Sequence, residues 1–135
     1  MKLIYPAIFY PDGDAYAVVV PDLPGCATGG NTLAEALDMA IDAASGWILS
    51  EWENGNHVPA PSPVKKIEAD SPDAFVSVIA LDMTAYAERF GKKAVRKNLT
   101  IPAWLNTFAE TNHINFSRVL QDALTEIAIS RRAGM

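Results

Sequence analysis

The chain has 135 residues, half of them hydrophobic, a net charge of −5 and one cysteine, enough for a single ordinary domain or a small domain with a dimerising tail. The lone Cys26 excludes an internal disulfide and a cysteine metal cluster, and no run approaches the roughly 18 consecutive apolar residues of a membrane span. Met1-Lys2-Leu3 enters a strand-like stretch rather than a signal peptide, so a cytoplasmic protein without membrane attachment is expected.

Leu3 to Tyr10 is rich in β-branched and aromatic residues but contains Pro6, which predicts an edge or irregular strand. Pro11-Asp12-Gly13-Asp14 is a turn, and Ala15 to Val20 is the return strand of a hairpin. Pro21 to Gly25 breaks that strand, and Cys26-Ala27-Thr28 is a short third strand before Gly29-Gly30. Thr32-Leu33-Ala34-Glu35 is a capping-box pattern. The long helix it opens carries Leu33, Leu37, Ala40, Ile41, Ala44, Ile48 and Trp52 on one side, with Glu35, Asp38, Asp42 and Glu53 on others. Asn54-Gly55 ends it, and Pro59-Ala60-Pro61-Ser62-Pro63 is a loop. Ala74 to Leu81 is nearly all apolar and predicts a strand buried inside a sheet, and Met83 to Phe90 a short helix.

Gly91-Lys92-Lys93 reads as a domain boundary. The charge divides at the same place. Residues 1–90 carry four Lys/Arg against thirteen Asp/Glu, net −9, and residues 91–135 carry seven against three, net +4. Such asymmetry is the footprint of two modules with different partners, phosphate for the basic end and something basic for the acidic end.

In the basic end, Val95, Leu99 and Ile101 alternate with Arg96, Asn98 and Thr100, the period-two pattern of a half-buried strand stopped by Pro102. Its polar face holds side chains able to read base edges: Arg forks onto guanine, Asn onto adenine, and Thr contacts either. Lys97 falls on the inner parity, where its stem has to snorkel outward. A helix is predicted from Pro102 to Thr111 with Leu105, Phe108 and Ala109 on one face. After a turn at Asn112-His113-Ile114, Asn115 caps a second helix striped by Val119, Leu120, Ala123, Leu124, Ile127 and Ala128. About 35 residues of this kind cannot enclose a core, so the segment is expected to dimerise.

Arg96-Lys97-Asn98-Leu99-Thr100-Ile101-Pro102, Leu105 and Asn115-Phe116-Ser117 together resemble the ribbon-helix-helix DNA-binding module. There, strands from two chains form an antiparallel ribbon in the major groove. The resemblance implies that Arg96, Asn98 and Thr100 face the bases. The N–H groups of Phe116 and Ser117, after the Asn115 cap and beside Arg118, would hold a phosphate. Lys92, Lys93 and Lys97 would add phosphate contacts that position without specifying sequence.

Asp22-Leu23-Pro24-Gly25-Cys26 and Gly29-Gly30-Asn31-Thr32, leading to Glu35-Ala36-Leu37, resemble the N-terminal domain of the HicB antitoxins. That resemblance implies an α+β protein: residues 1–90 a partial ribonuclease H-like ββ(β)αβ domain that binds toxin, residues 91–135 the ribbon-helix-helix DNA-binding and dimerisation domain. It further implies a HicA-type toxin as partner, a small basic messenger-cleaving ribonuclease blocked by direct binding. Operator double-stranded DNA would be the second partner, bound by a homodimer or higher oligomer that represses its own operon, with no cofactor or metal.

Blander readings compete for several residues. Asp12 and Asp14 lie in a turn, Asp22 lies between prolines, and the apolar strand has no acid before Asp82, so a metal-dependent nuclease site is poorly supplied and solvated turn acids are the better reading. His57 and His113 stand without a second ligand and read as surface residues, Cys26 as a small core residue, and Trp47 and Trp52 as core packing with one of them a candidate for an interface. Excess acid by itself is ordinarily a matter of solubility. The runner-up function is a free-standing ribbon-helix-helix regulator whose first domain senses a small ligand.

Overall fold

A computed structural model describes residues 1–133, so the end of the predicted 91–135 segment, Gly134 and Met135, lies outside the described residues. The chain forms two compact units, Met1–Gly91 and a second beginning at Lys92. Among the described residues no helix is long and apolar enough to cross a membrane.

In unit 1, β1 (Lys2–Asp12) and β2 (Ala15–Val19) form an antiparallel hairpin joined through Gly13 and Asp14. Gly13 takes φ +63°, the left-handed backbone that lets a two-residue turn follow the twist of its strands. β3 (Ala27–Gly30) pairs with β2, and β4 (Phe75–Asp82) pairs with β1, giving an all-antiparallel sheet in the order β3-β2-β1-β4. The mixed α+β class expected for this half is what is observed.

Two strand assignments are corrected. β1, expected to be an edge or irregular strand because of Pro6, is central and pairs with β4 in unbroken register from Lys2 to Phe9. The β2 ladder spans only Ile8 to Asp12 of β1, so Pro6 lies where β1 has β4 alone beside it, and a strand half-paired in this way tolerates a residue without an N–H. Conversely β4, expected inside the sheet, is an edge strand in which Phe75 and Val78 are exposed.

Register sorts the side chains. Leu3, Tyr5, Ala7 and Phe9 share a face with Val18, Ile79 and Leu81, and α1 (Leu33–Glu53) covers that face with Ala36, Ala40, Ala44 and Ile48, all buried. Alanines one turn apart let the helix backbone come close to the sheet. Leu33, expected in the apolar stripe, is exposed at the first helical position, and Ala36 takes its place in the core. Thr32 caps the helix as predicted, its Oγ1 accepting from the Glu35 N–H at 3.1 Å. At the far end Asn54 and then Gly55, at φ +73°, terminate it. α2 (Met83–Phe90) follows β4, capped by Asp82, whose Oδ1 accepts from the Ala85 N–H at 3.1 Å. Trp47 and Trp52 are both partly buried against the core, and Cys26 is buried in it, where burial pushes the thiol pKa up.

The connection from α1 to β4 is a strap across the sheet. The Tyr5 hydroxyl donates to the Pro59 carbonyl at 2.6 Å, and the Ser62 N–H and Oγ donate to the two Asp22 carboxylate oxygens at 2.8 and 2.6 Å. A single 3-10 turn, Val64–Lys66, then packs near β4, and Asp70 accepts from the Tyr10 hydroxyl at 2.8 Å. Tyr5 and Tyr10 belong to opposite faces of β1, so the strap is tied to both. Asp22, expected as a solvated turn acid, is instead one of its anchors.

Unit 2 consists of residues 92–102, which form no helix or ladder, α3 (Ala103–Thr111) and α4 (Phe116–Ala133). α3 starts directly after Pro102, and His113, at φ 55°, turns the chain between the helices. The expected strand around Val95–Ile101 has no ladder in this single chain. A strand exists only when another strand takes its hydrogen bonds, and among the described residues no such partner is present.

Candidate functional site

The predicted reading residues Arg96, Asn98 and Thr100, and the predicted phosphate contacts Lys92, Lys93 and Lys97, are all exposed and all fall within residues 92–102. The structure therefore places these six residues in one basic stretch of eleven. It does not order them on a strand: among the described residues none of the six takes part in a ladder.

Asn115 is the N-cap predicted for α4, its Oδ1 accepting from the Arg118 N–H at 3.0 Å. Val119 then starts the helical ladder by donating to the Asn115 carbonyl at 3.1 Å. The N–H groups of Phe116 and Ser117 make no hydrogen bond among the described residues, and both residues are exposed, as an anion site at a helix start requires. The Arg118 side chain pairs with Asp122 one turn on at 3.4 Å, and both side chains are mostly exposed. A solvated pair of this kind is worth about 0.3–0.5 kcal/mol, so a phosphate would compete for the arginine at little cost.

Almost every apolar side chain of unit 2 faces outward. Of its described side chains Ala109 alone is buried, while Val95 is 76% and Trp104 71% exposed. Leu105, Phe108, Val119, Leu120, Leu124 and Ile127 are exposed as well, so both helices present apolar stripes without a core between them. Trp104 is absent from the stripe predicted for α3. It lies one turn before Phe108, and that i, i+4 spacing is the signal that places the two side chains together.

In unit 1 the chemistry is that of a surface rather than a cleft. Asp12, Asp14, His57 and, in unit 2, His113 are exposed, and no three His, Cys, Asp or Glu side chains are grouped to hold a metal ion among the described residues. The feature invisible in the sequence is on the face of the sheet away from α1. Ile4 lies opposite Ala80 and Val78 opposite Pro6; Ile4, Val78 and Ala80 are exposed, whereas Pro6 and Ile8 of the same parity are buried. Continuous apolar sequence in β4 predicts burial on both sides, and register alone separates its buried parity from its bare one.

Comparison with known proteins gives one consistent result. The family model described as the HicB-like antitoxin of bacterial toxin-antitoxin systems matches residues 5–123, which span both units. The chain is 33% identical over 105 residues to an uncharacterised 14.9 kDa protein of Haemophilus phage HP1, covering 76% of each. It is 27% identical over 124 residues to Antitoxin HicB 2 of Photorhabdus laumondii, covering 91% of this chain and 89% of that one. Among solved structures it resembles a chain of a toxin-antitoxin complex from Streptococcus pneumoniae, with a TM-score of 0.60, 28% identity, and coverage of 93% of this chain and 99% of the other. With the family model matching most of the chain, and one HicB antitoxin relative and one chain of a solved toxin-antitoxin complex each matching more than nine-tenths of it, the chain belongs to the HicB-like antitoxins of bacterial toxin-antitoxin systems.

Proposed function

We propose that this antitoxin neutralises a HicA-type messenger-cleaving ribonuclease by direct binding through unit 1, and represses its own operon through unit 2. The observation that carries the reading is the family match over residues 5–123. Proteins of this family are antitoxins and not enzymes, so both roles are binding roles.

On this reading unit 1 is a partial ribonuclease H-like fold, a single helix packed on an antiparallel sheet. Its excess of acid suits a basic toxin and speeds their encounter. Unit 2 is a ribbon-helix-helix half. Its bare apolar stripes, unladdered basic stretch and capped α4 start support a second copy as the partner that completes it. In the completed dimer two copies of residues 95–101 pair, Arg96, Asn98 and Thr100 point into the major groove, and the starts of the two α4 helices grip phosphates on either side. The protein is then a cytoplasmic homodimeric repressor, and unit 1 is free to add a higher order of assembly.

Fluorescence anisotropy with duplex DNA from upstream of the gene's own start codon tests the DNA half. Asn98→Ala is expected to cost about 1–3 kcal/mol of affinity, and Arg96→Ala/Asn98→Ala to abolish sequence-selective binding. Neutralisation of the toxin in a growth assay should survive both. Equal operator binding by the double mutant would remove these residues from base reading.

A further inference from the structure

β4 is an edge strand of a kind that proteins ordinarily protect. It runs eight residues, Phe75–Asp82, pairs with β1 on one side, and has no Lys, Arg or Pro between Phe75 and Leu81. Edges are normally blunted by charge, proline, a bulge or extreme shortness, because a bare row of N–H and C=O groups invites another chain. Beside this edge, on the face away from α1, Ile4 is 50% and Val78 44% exposed, with Ala80 between them in register. An apolar strip alongside an unguarded edge marks a docking surface.

Charge selects the occupant. Asp73 stands just before β4 and Asp82 ends it, and the register of Phe9 with Phe75 brings the Asp12–Asp14 turn to the same end of the sheet as Asp73 and Asp70. Asp70, Asp73 and the turn acids gather at the Phe75 end of β4, whereas Lys2 stands opposite Asp82 at the Ile4–Ala80 end, so the acidic excess belongs to unit 1 as a whole rather than to the strip alone. The whole of residues 1–90 carries −9, so two copies meeting here would repel, whereas a basic protein would be drawn in.

We propose that the outer edge of β4, with Ile4, Val78 and Ala80 beside it, is the surface on which unit 1 docks a basic protein partner. Resting on the antitoxin reading above, that partner is the toxin. The acidic outer face of α1, with Glu35, Asp38 and Asp42, lacks a comparable bare strand edge and serves as the control surface.

The test uses the full-length chain and the purified basic toxin encoded beside this gene, with affinity measured by calorimetry. Ile4→Lys/Val78→Lys installs the charge that guarded edges carry; Asp38→Asn/Asp42→Asn raises the net charge equally on α1. The first pair is expected to weaken toxin binding by about ten-fold or more, the second far less. Matching thermal melts for both variants and wild type establish that the fold is intact; because the substituted side chains are half exposed, little change in melting is expected. The single variant Val78→Thr, which keeps a β-branched shape, is expected to give an intermediate loss. Toxin binding by wild type with no loss in any β4-side variant overturns the docking surface and leaves the antitoxin reading standing. Failure of wild type to bind the toxin overturns both. A change in subunit number caused by the β4-side variants in the absence of toxin, with toxin affinity unaltered, assigns the surface to a second copy and overturns the proposal.

Discussion

Tyr5 and Tyr10 lie five residues apart on β1 and hold the strap from opposite faces, yet their surroundings differ. The Tyr5 hydroxyl is held at the Pro59 carbonyl beside Asp22, and burial first, then the nearby carboxylate, raises its pKa above the ordinary 10.0. At Tyr10 the hydrogen bond to Asp70 is the main cause of the rise. A phenol whose folded pKa is raised stabilises the fold fully below the unfolded value, and that contribution is lost as pH climbs through the folded value. The melting temperature of unit 1 is therefore expected to hold to about pH 10 and fall above it. Tyr5→Phe should lower stability by about 1 kcal/mol at neutral pH and flatten part of the alkaline fall, as melts recorded from pH 8 to 11 would show. An unchanged alkaline slope in the variant would mean that Tyr5 does not titrate with unfolding. None of this was legible in the sequence, because Tyr5 and Pro59, like Asp22 and Ser62, are joined only once the chain has folded.

At the scale of elements, local chemistry read correctly and neighbourhood did not. Thr32, Asn54-Gly55, Gly13 and Asn115 act within a few residues of themselves, so their caps and turns could be placed from sequence. Whether a strand is central or at an edge depends on distant strands, and both β1 and β4 were misplaced for that reason. Pro6 argued for an edge, but β2 stops short of it. The apolar run of β4 argued for burial, but half of it is bare. Gly30 shows the same dependence on neighbours: a Cβ there would stand 2.4 Å from the Ala36 nitrogen, where the end of β3 passes under the first turn of α1. Gly30→Ala is accordingly expected to cost about 1–3 kcal/mol, read as a lower denaturant midpoint at unchanged slope. A midpoint equal to wild type would show that α1 can back away.

At the scale of the whole molecule, the two units differ in what they need in order to be finished. Unit 1 has its own core of Tyr5, Phe9, Val18, Ile48, Ile79 and Leu81. Among its described residues unit 2 has apolar stripes and no core, the condition in which a fold of some forty residues ordinarily depends on oligomerisation. Leu124→Asp, on the bare stripe of α4, would be harmless to a lone chain. In the proposed dimer it buries an unpaired charge, so light scattering is expected to show wild type as a dimer and the variant as a monomer whose unit 1 still melts normally. A variant that stays dimeric would move the interface elsewhere. The alternation of Val95, Leu99 and Ile101 with Arg96, Asn98 and Thr100 made this segment readable from sequence, since a period-two pattern survives without its partner strand. What the sequence withheld was the face of unit 1 left bare, which register alone reveals.

If unit 2 is completed in the proposed dimer, one polypeptide has two kinetic orders. Unit 1 folds in a first-order step at a rate indifferent to how many chains are present, whereas a core assembled from two chains forms in a second-order step that slows on dilution. During synthesis unit 1 leaves the ribosome first and can complete its fold before the proposed dimer of unit 2 has formed. In the first moments after translation begins, the half proposed to hold the toxin would be ready before the half proposed to hold DNA; on that reading protection precedes repression, and the operon would stay open until chains have accumulated enough to meet.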